Sequence, residues 1–113
     1  MNKEFMLRTL ESLGLKTLDA QVYVYLLQND QKIARDIAEA LGTYTKRLYR
    51  SLNSLQRKGM VNASKDHPAR FSAASLDKVI DLYIKANRDE AQSIEENKEQ
   101  ILAMWRLKIL EES

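Results

Sequence analysis

The chain has 113 residues, of which 44% are hydrophobic and 30% are charged, a balance typical of one globular domain. It has no cysteine and one histidine, which excludes disulfides, thiolate nucleophiles and cysteine-based or two-histidine metal sites. No apolar run approaches the ~18 residues of a membrane span, and the N-terminus carries charges within its apolar stretch. We therefore expect a cytoplasmic protein with no membrane segment, no signal peptide and no cofactor.

The net charge of +2 conceals an uneven distribution of charge along the chain. Residues 32–70 carry nine basic and three acidic side chains, whereas residues 1–31 and 75–113 are each net acidic. A cationic block of this kind favours a polyanionic partner. A merely solvated basic face would have the same composition, so the predicted elements must distinguish the two.

The first part of the chain predicts two amphipathic helices. Residues 2–13 place apolar side chains on one side of a helix, and Gly14 follows as its C-cap. Thr17 offers an N-cap for the second helix, which ends at the polar residues 28–30.

The next two predicted helices are joined by a short turn at Gly42. The third helix covers residues 34–41, and the fourth begins at Thr43 or Thr45, either of which could cap it, and closes at Gly59. The apolar stripe of the fourth helix consists of Leu48, Leu52 and Leu55. Two helices joined in this way indicate a helix-turn-helix.

After the fourth helix the hydrophobic pattern changes to an alternating one. Residues 60–65 and 70–74 read as two strands, and the turn between them contains Pro68. A basic helix followed by a small β-hairpin indicates a winged helix, with the hairpin as the wing.

The last predicted element is one long helix capped by Ser75, because no glycine or proline interrupts residues 75–113. At about 1.5 Å per residue it is too long to be covered by a domain of 70 residues. The predicted fold is therefore mainly α, an α+β winged helix-turn-helix. We expect a DNA-binding domain at 1–74 and a long C-terminal dimerisation helix at 75–113.

The outward face of the fourth helix indicates DNA binding. Residues 40–65 contain no aspartate or glutamate, whereas exposed helices usually intersperse charges of both signs. We expect the recognition helix, 43–58, to enter the major groove of double-stranded DNA, with its arginines on guanine or phosphate. The wing, 60–74, would contact the backbone or the minor groove. The residues predicted to contact DNA are Thr43, Tyr44, Thr45, Lys46, Arg47, Arg50, Arg57, Lys65 and Arg70.

The end of the chain carries apolar residues on more than one helix face, which indicates several neighbours. We expect a homodimer in which this segment packs on its symmetry mate and on the N-terminal helix. A C2 dimer would place two recognition helices about 34 Å apart, one turn of DNA. The predicted interface residues are Phe5, Met6, Leu10, Ile94, Ile101, Leu102, Met104 and Trp105. A dock for another protein is the alternative use of this segment.

The functional prediction is a homodimeric, sequence-specific transcriptional regulator. The alternatives are a winged-helix interaction module of the transcription machinery and a weakly specific, chromatin-type DNA-binding protein. No phosphate loop, nucleophile elbow or metal-ligand cluster is present in the sequence. We therefore expect neither an enzyme nor a metal site.

Three segments of the chain resemble the TrmB-like family of archaeal winged-helix regulators. The family's opening helices resemble LGLKTLDAQVYVYLL (13–27). Its helix-turn-helix is similar to ARDIAEALGTYTKRLYRSLNSLQRKGMV (34–61), and its wing return and following helix are similar to ARFSAASLDKVIDL (69–82). The related MarR-like regulators share this architecture.

The resemblance implies a winged-helix fold, transcriptional regulation and dimeric binding to operator DNA. It assigns the recognition-helix role to Thr45, Lys46, Arg47 and Arg50. The sugar-binding C-terminal domain of larger members has no counterpart in these residues, which argues against sugar sensing. Tyr44 and Thr45 stand where the resemblance leads us to expect proline and a basic residue, so no target sequence carries over.

Overall fold

The computed structural model describes residues 3–112, with side chains described as far as residue 107. The chain divides into two units, one that ends at Val79 and one that begins at Ile80. Within the described residues, no helix combines the length and the hydropathy that crossing a membrane requires.

The first unit contains the predicted helices in the predicted order. They are α1 (Lys3–Ser12), α2 (Thr17–Gln28), α3 (Ala34–Leu41) and α4 (Thr45–Arg57). The turn between α3 and α4 depends on Gly42, whose φ is +64°. The Gly42 N–H donates to the carbonyl of Glu39 at 3.3 Å, and the Thr43 N–H donates to that of Ala38 at 3.0 Å. These are the bonds of a glycine-terminated helix end, so the predicted helix-turn-helix is confirmed.

Two helix starts differ from the prediction. The N-caps of α2 and α4 are Lys16 and Tyr44, and neither makes a side-chain capping hydrogen bond. Thr17 and Thr45 are already the first helical residues, and a capping residue must have a non-helical backbone. The Oγ1 of Thr43 is buried and has no hydrogen-bond partner among the described residues. The threonine caps predicted for both helices are therefore wrong.

The sheet of the first unit has one strand more than the predicted hairpin. Its three antiparallel strands are β1 (Lys32–Ile33), β2 (Val61–Ala63) and β3 (Arg70–Ala73). Their spatial order is β1-β3-β2. Val61 pairs with Ala73 and Ala63 pairs with Phe71, which confirms the predicted hairpin. The added strand β1 pairs on the other edge of β3. Two residues are too few to show an alternating pattern, so the sequence does not predict it.

The core of the first unit lies between α2, α3, α4 and the sheet. Its largest fully buried side chains are Tyr23, Ile37, Leu48, Leu52, Leu55, Met60, Val22 and Val79. The three leucines confirm the predicted stripe of α4, and burying each contributes roughly 1.5–3 kcal/mol. Tyr23 in α2 also donates a 2.8 Å hydrogen bond to the carbonyl of Ala74, at the end of the wing. The core thus fixes one face of α4 and leaves the opposite face to solvent.

The C-terminal segment forms two consecutive helices where the sequence predicts one. They are α5 (Leu76–Glu96), which begins in the first unit, and α6 (Lys98–Glu112). Ser75 caps α5 as predicted, because its Oγ accepts the Lys78 N–H at 3.3 Å. The interruption falls at Asn97, whose side-chain amide donates to the Ser93 carbonyl at 2.7 Å. The Asn97 backbone N–H also donates to this carbonyl, at 3.2 Å, and the Ile101 N–H donates to the Asn97 carbonyl at 2.9 Å, so helical hydrogen bonds continue through the interruption.

Candidate nucleic-acid interface

The face of α4 opposite its buried leucines is basic. Its exposed basic side chains are Lys46, Arg47, Arg50 and Arg57. The ion pairs within the described residues are Arg8–Glu4 and Lys85–Asp89, so none of the four α4 cations is neutralised there. The helix therefore presents an uncompensated positive surface to solvent.

A cleft of about 530 Å³ lies between α4 and the start of α2. The basic residues that line it are Lys16, Arg47, Arg50 and Arg57. Asp19 also lines the cleft, but its side chain is buried and its carboxylate accepts a 2.6 Å hydrogen bond from the Ser51 hydroxyl. The sequence interpretation missed Lys16, because only the packing of α2 on α4 brings it beside the arginines.

The other side of α4 faces the wing. Thr45 and Tyr49 line a shallow groove there together with Arg35 and Pro68. The ring of Tyr49 packs edge-on against Phe71 of β3, with centroids 6.4 Å apart. Arg35, an exposed cation at the start of α3, is a second residue that the sequence interpretation missed. Arg35 is the one cation among the described residues that line this groove.

The wing carries its two predicted basic residues, Lys65 and Arg70, on exposed positions around its turn. The Ser64 hydroxyl closes this turn by accepting the Arg70 N–H at 2.9 Å and the Asp66 N–H at 3.3 Å. The exposed Asp66 lowers the net positive charge of the tip. The turn of the wing is thus held by the Ser64 hydroxyl, with Lys65 after β2 and Arg70 at the start of β3.

The two residues that precede α4, Thr43 and Tyr44, differ in their exposure to solvent. Tyr44 is 81% exposed at the N-cap of α4, where it is free to contact a ligand. Thr43 has a buried hydroxyl, and its backbone N–H is already bonded to the carbonyl of Ala38. The prediction that Thr43 contacts DNA is therefore corrected, since neither of its donors faces outward.

The predicted dimer residues also divide into exposed and buried sets. The exposed members are Phe5, Ile94, Ile101, Met104 and Trp105, and the partly exposed members are Met6 and Leu102. Leu10 is 3% exposed within the first unit, where α1 packs on α2. Its assignment to a subunit interface is therefore wrong, because its surface is already covered inside one chain.

The helix-turn-helix, its basic outer face and the braced hairpin define a winged-helix protein of the DNA-binding regulator class. Residues 10–77 match the family model described as the sugar-specific transcriptional regulator TrmB. The chain belongs to the TrmB family of transcriptional regulators. This membership confirms the resemblance seen in the sequence and the prediction that the chain is a DNA-binding regulator and not an enzyme.

Solved structures share this fold at low sequence identity. TrmBL2, an archaeal chromatin protein, has a TM-score of 0.74 and 21% identity over 92% of this chain, which spans 42% of TrmBL2. A possible transcriptional regulator from Methanosarcina mazei Go1 has a TM-score of 0.66 and 16% identity, covering 78% of this chain and 80% of its own. A variant of MepR from Staphylococcus aureus, bound to an oligodeoxyribonucleotide, has a TM-score of 0.58 and 20% identity, covering 98% and 89%. The search of curated proteins gives no significant match.

Proposed function

We propose that the chain is a homodimeric regulator that binds operator DNA sequence-specifically, with α4 in the major groove. The observation that carries this proposal is the uncompensated basic face of α4. Residues 40–65 contain no acidic side chain, and the exposed cations of α4 form no ion pair within the described residues. A surface of this kind attracts the phosphate backbone and is costly to maintain without a polyanion.

The dimensions of α4 suit the groove. The helix has 13 residues and is therefore about 20 Å long, with a diameter of roughly 10–12 Å that matches the ~12 Å major groove. Lys46 lies in the first turn and Arg50 in the second turn of α4, within the N-terminal half of the helix, and the N-terminal residues of a recognition helix reach base edges. Arg50 can pair with two acceptors of guanine, which gives sequence discrimination.

The wing extends the contact beyond the groove. Lys65 and Arg70 are exposed around a turn that Ser64 holds closed. Two cations on a braced hairpin can bind adjacent phosphates or enter the minor groove. Arg35 lines a groove with Thr45, and Tyr44 is exposed at the N-cap of α4, so both would add contacts to DNA near the start of this helix.

The second unit supports dimerisation. It exposes large apolar side chains on α5 and α6, namely Ile94, Ile101, Met104, Trp105 and Leu107. Covering such side chains contributes about 25 cal/mol for each Å² removed from water. A second copy of the chain would cover them symmetrically and would position two recognition helices about 34 Å apart.

Fluorescence anisotropy on random and genomic duplexes across a salt series tests the proposal. With roughly 5–8 phosphate contacts per dimer, log affinity falls against log salt with a slope of about −4.5 to −7. Binding to some sequences at least about 10³-fold more tightly than to random DNA supports a specific regulator.

Two other results would contradict the proposal of sequence-specific DNA binding. Equal affinity for every sequence means a weakly specific coating protein; TrmBL2, which shares the fold, is an archaeal chromatin protein. No binding at low salt means that the basic face serves a protein partner of the transcription machinery.

A further inference from the structure

The cleft between α2 and α4 brings together cations from two helices that are distant in sequence. Lys16 lies directly before α2, and Arg47 lies in the first turn of α4. We infer that this cleft binds a phosphodiester of the DNA backbone, with Lys16 and Arg47 as its cationic ligands. The inference rests on the proposed DNA binding and assigns Lys16, which lies outside the helix-turn-helix, to the interface.

The geometry of α4 places Arg47 and Lys46 on different sides of the helix. Arg47, Ser51 and Ser54 are spaced at i, i+4 and i+7 and all line the cleft, so they form the stripe that faces α2. Ser51 fixes this stripe against α2 through its hydrogen bond to Asp19. Lys46 is not among the residues that line the cleft, because it is one position, or about 100°, further round the helix.

The electrostatics of the cleft favour an anion. Its lining has four cations, Lys16, Arg47, Arg50 and Arg57, and one acid, Asp19. Asp19 is buried, and the Ser51 hydroxyl already donates to its carboxylate, so it is not presented to a ligand in the cleft. The cations form no ion pair within the described part of the chain. A phosphate would relieve the repulsion between cations that the fold holds at one cleft.

The start of α2 adds backbone hydrogen-bond donors that also favour an anion. No side chain caps this helix, so backbone N–H groups of its first turn can donate hydrogen bonds to an anion beside Lys16. These donors supplement the side-chain cluster and do not define the site alone. A contact of this kind positions the protein on DNA and carries no sequence information.

The test compares Lys16→Gln with Lys85→Gln, which makes the same charge change on α5 of the second unit. The readout is the slope of log affinity against log salt, measured on a random duplex and on the preferred duplex. We expect Lys16→Gln to reduce the slope by about 0.9 for each protomer bound, equally on both duplexes. The ratio of affinities for the two duplexes should stay unchanged, and Lys85→Gln should behave as the parent. An unchanged slope for Lys16→Gln, with a parent that binds DNA, overturns the inference and leaves the proposed function standing.

The same measurements on Arg47→Gln test the second cationic ligand. A reduced salt slope with an unchanged ratio of affinities for the two duplexes supports phosphate binding in the cleft. A changed ratio of affinities with an unchanged salt slope means that Arg47 reads bases and overturns the assignment. Thermal unfolding in inorganic phosphate and in chloride at matched ionic strength distinguishes a site for the DNA backbone from a site for free phosphate. Phosphate could raise the Tm of the parent, and Lys16→Gln could remove this rise without changing the salt slope of DNA binding. That result means a free-phosphate site and overturns the inference. A parent that binds no DNA overturns the proposed function as well.

Discussion

The hydroxyl of Ser51 donates a 2.6 Å hydrogen bond to the carboxylate of Asp19 in the buried contact between α4 and α2. Both side chains are almost fully buried, at 3% and 5% exposure. A buried carboxylate needs such a donor, because removing an ionised group from water is costly unless it is hydrogen-bonded. The bond therefore fixes the position of α4 relative to α2, and with it the shape of the basic cleft.

Substitution Ser51→Ala should destabilise the protein by about 1–3 kcal/mol, since it leaves the Asp19 carboxylate buried without its hydroxyl donor. Urea unfolding measures the change as a lower midpoint with an unchanged m-value. The matched control is Ser54→Ala, three residues later on the same helix at a more exposed position. It should change stability by no more than about 0.5 kcal/mol. Equal effects at the two positions would contradict the role given to the hydrogen bond.

The double charge reversal Arg47→Glu and Arg50→Glu should abolish DNA retention in a gel-shift assay. Each substitution replaces attraction to phosphate with repulsion on the exposed face of α4. Circular dichroism and light scattering should show an unchanged fold and oligomeric state, because neither side chain lies in the core.

The control for this reversal is Lys85→Glu with Arg88→Glu, which changes the net charge equally at exposed positions of α5. DNA retention should persist in the control. If both pairs abolish binding, net charge and not the α4 surface would be responsible.

Burial raises the pKa of Tyr23 to about 12, above the ordinary value of 10.0. The folded state therefore holds the phenolic proton more tightly than the unfolded state. The stability that depends on the protonated phenol is complete below pH 10 and is lost as the pH rises from 10 through 12, by at most about 3 kcal/mol.

Urea unfolding between pH 9 and 12 checks this dependence against Tyr23→Phe. The variant should be less stable by about 1–2 kcal/mol at neutral pH, because the buried carbonyl of Ala74 loses its donor. It should also lose less stability than the parent over the alkaline range. Parallel pH profiles for the two proteins would refute the assignment.

The helical part of the first unit is predictable from the sequence because two local signals agree there. The leucine stripe of α4 has helical spacing, and Gly42 and Gly59 mark the helix ends with positive φ values. The strand β1 has no such signal, because it exists only through its pairing with β3. The interruption at Asn97 is equally hidden, since a single residue within a helical pattern has no periodic signature.

The candidate site is predictable where it depends on composition and hidden where it depends on packing. The absence of acids from residues 40–65 is visible in the sequence and identifies the basic face of α4. Lys16 joins that face only because α2 packs on α4. Leu10 shows the same limit, because an apolar helix face does not reveal whether its own chain or a second copy covers it.

Gly42→Ala should destabilise the protein by about 1–2 kcal/mol, since Gly42 has a left-handed backbone with φ +64°. Apart from its chain neighbours, a Cβ at this position would meet no atom within 4 Å, so the cost arises from the local backbone conformation and not from crowding by other parts of the fold. Gly42→Asn should cost less, because asparagine tolerates this conformation. Thermal unfolding of the two variants gives the comparison, and a larger loss for asparagine than for alanine would contradict this explanation.

We expect the exposed apolar side chains of α6 to form a contact between subunits. Ile101 and Trp105 are one helical turn apart and are 51% and 57% exposed in the single chain, so changing them removes little from the fold of one protomer. Ile101→Glu with Trp105→Ala should convert a homodimer into monomers, because the charge would be buried in the subunit contact. Light scattering measures the mass, and DNA affinity should fall at least about tenfold when two linked recognition helices become one. Gln100→Ala, a change at a polar neighbour, should leave the mass unchanged. A double variant that remains dimeric would show that the subunits meet elsewhere, whereas a monomeric parent would leave these side chains for another protein.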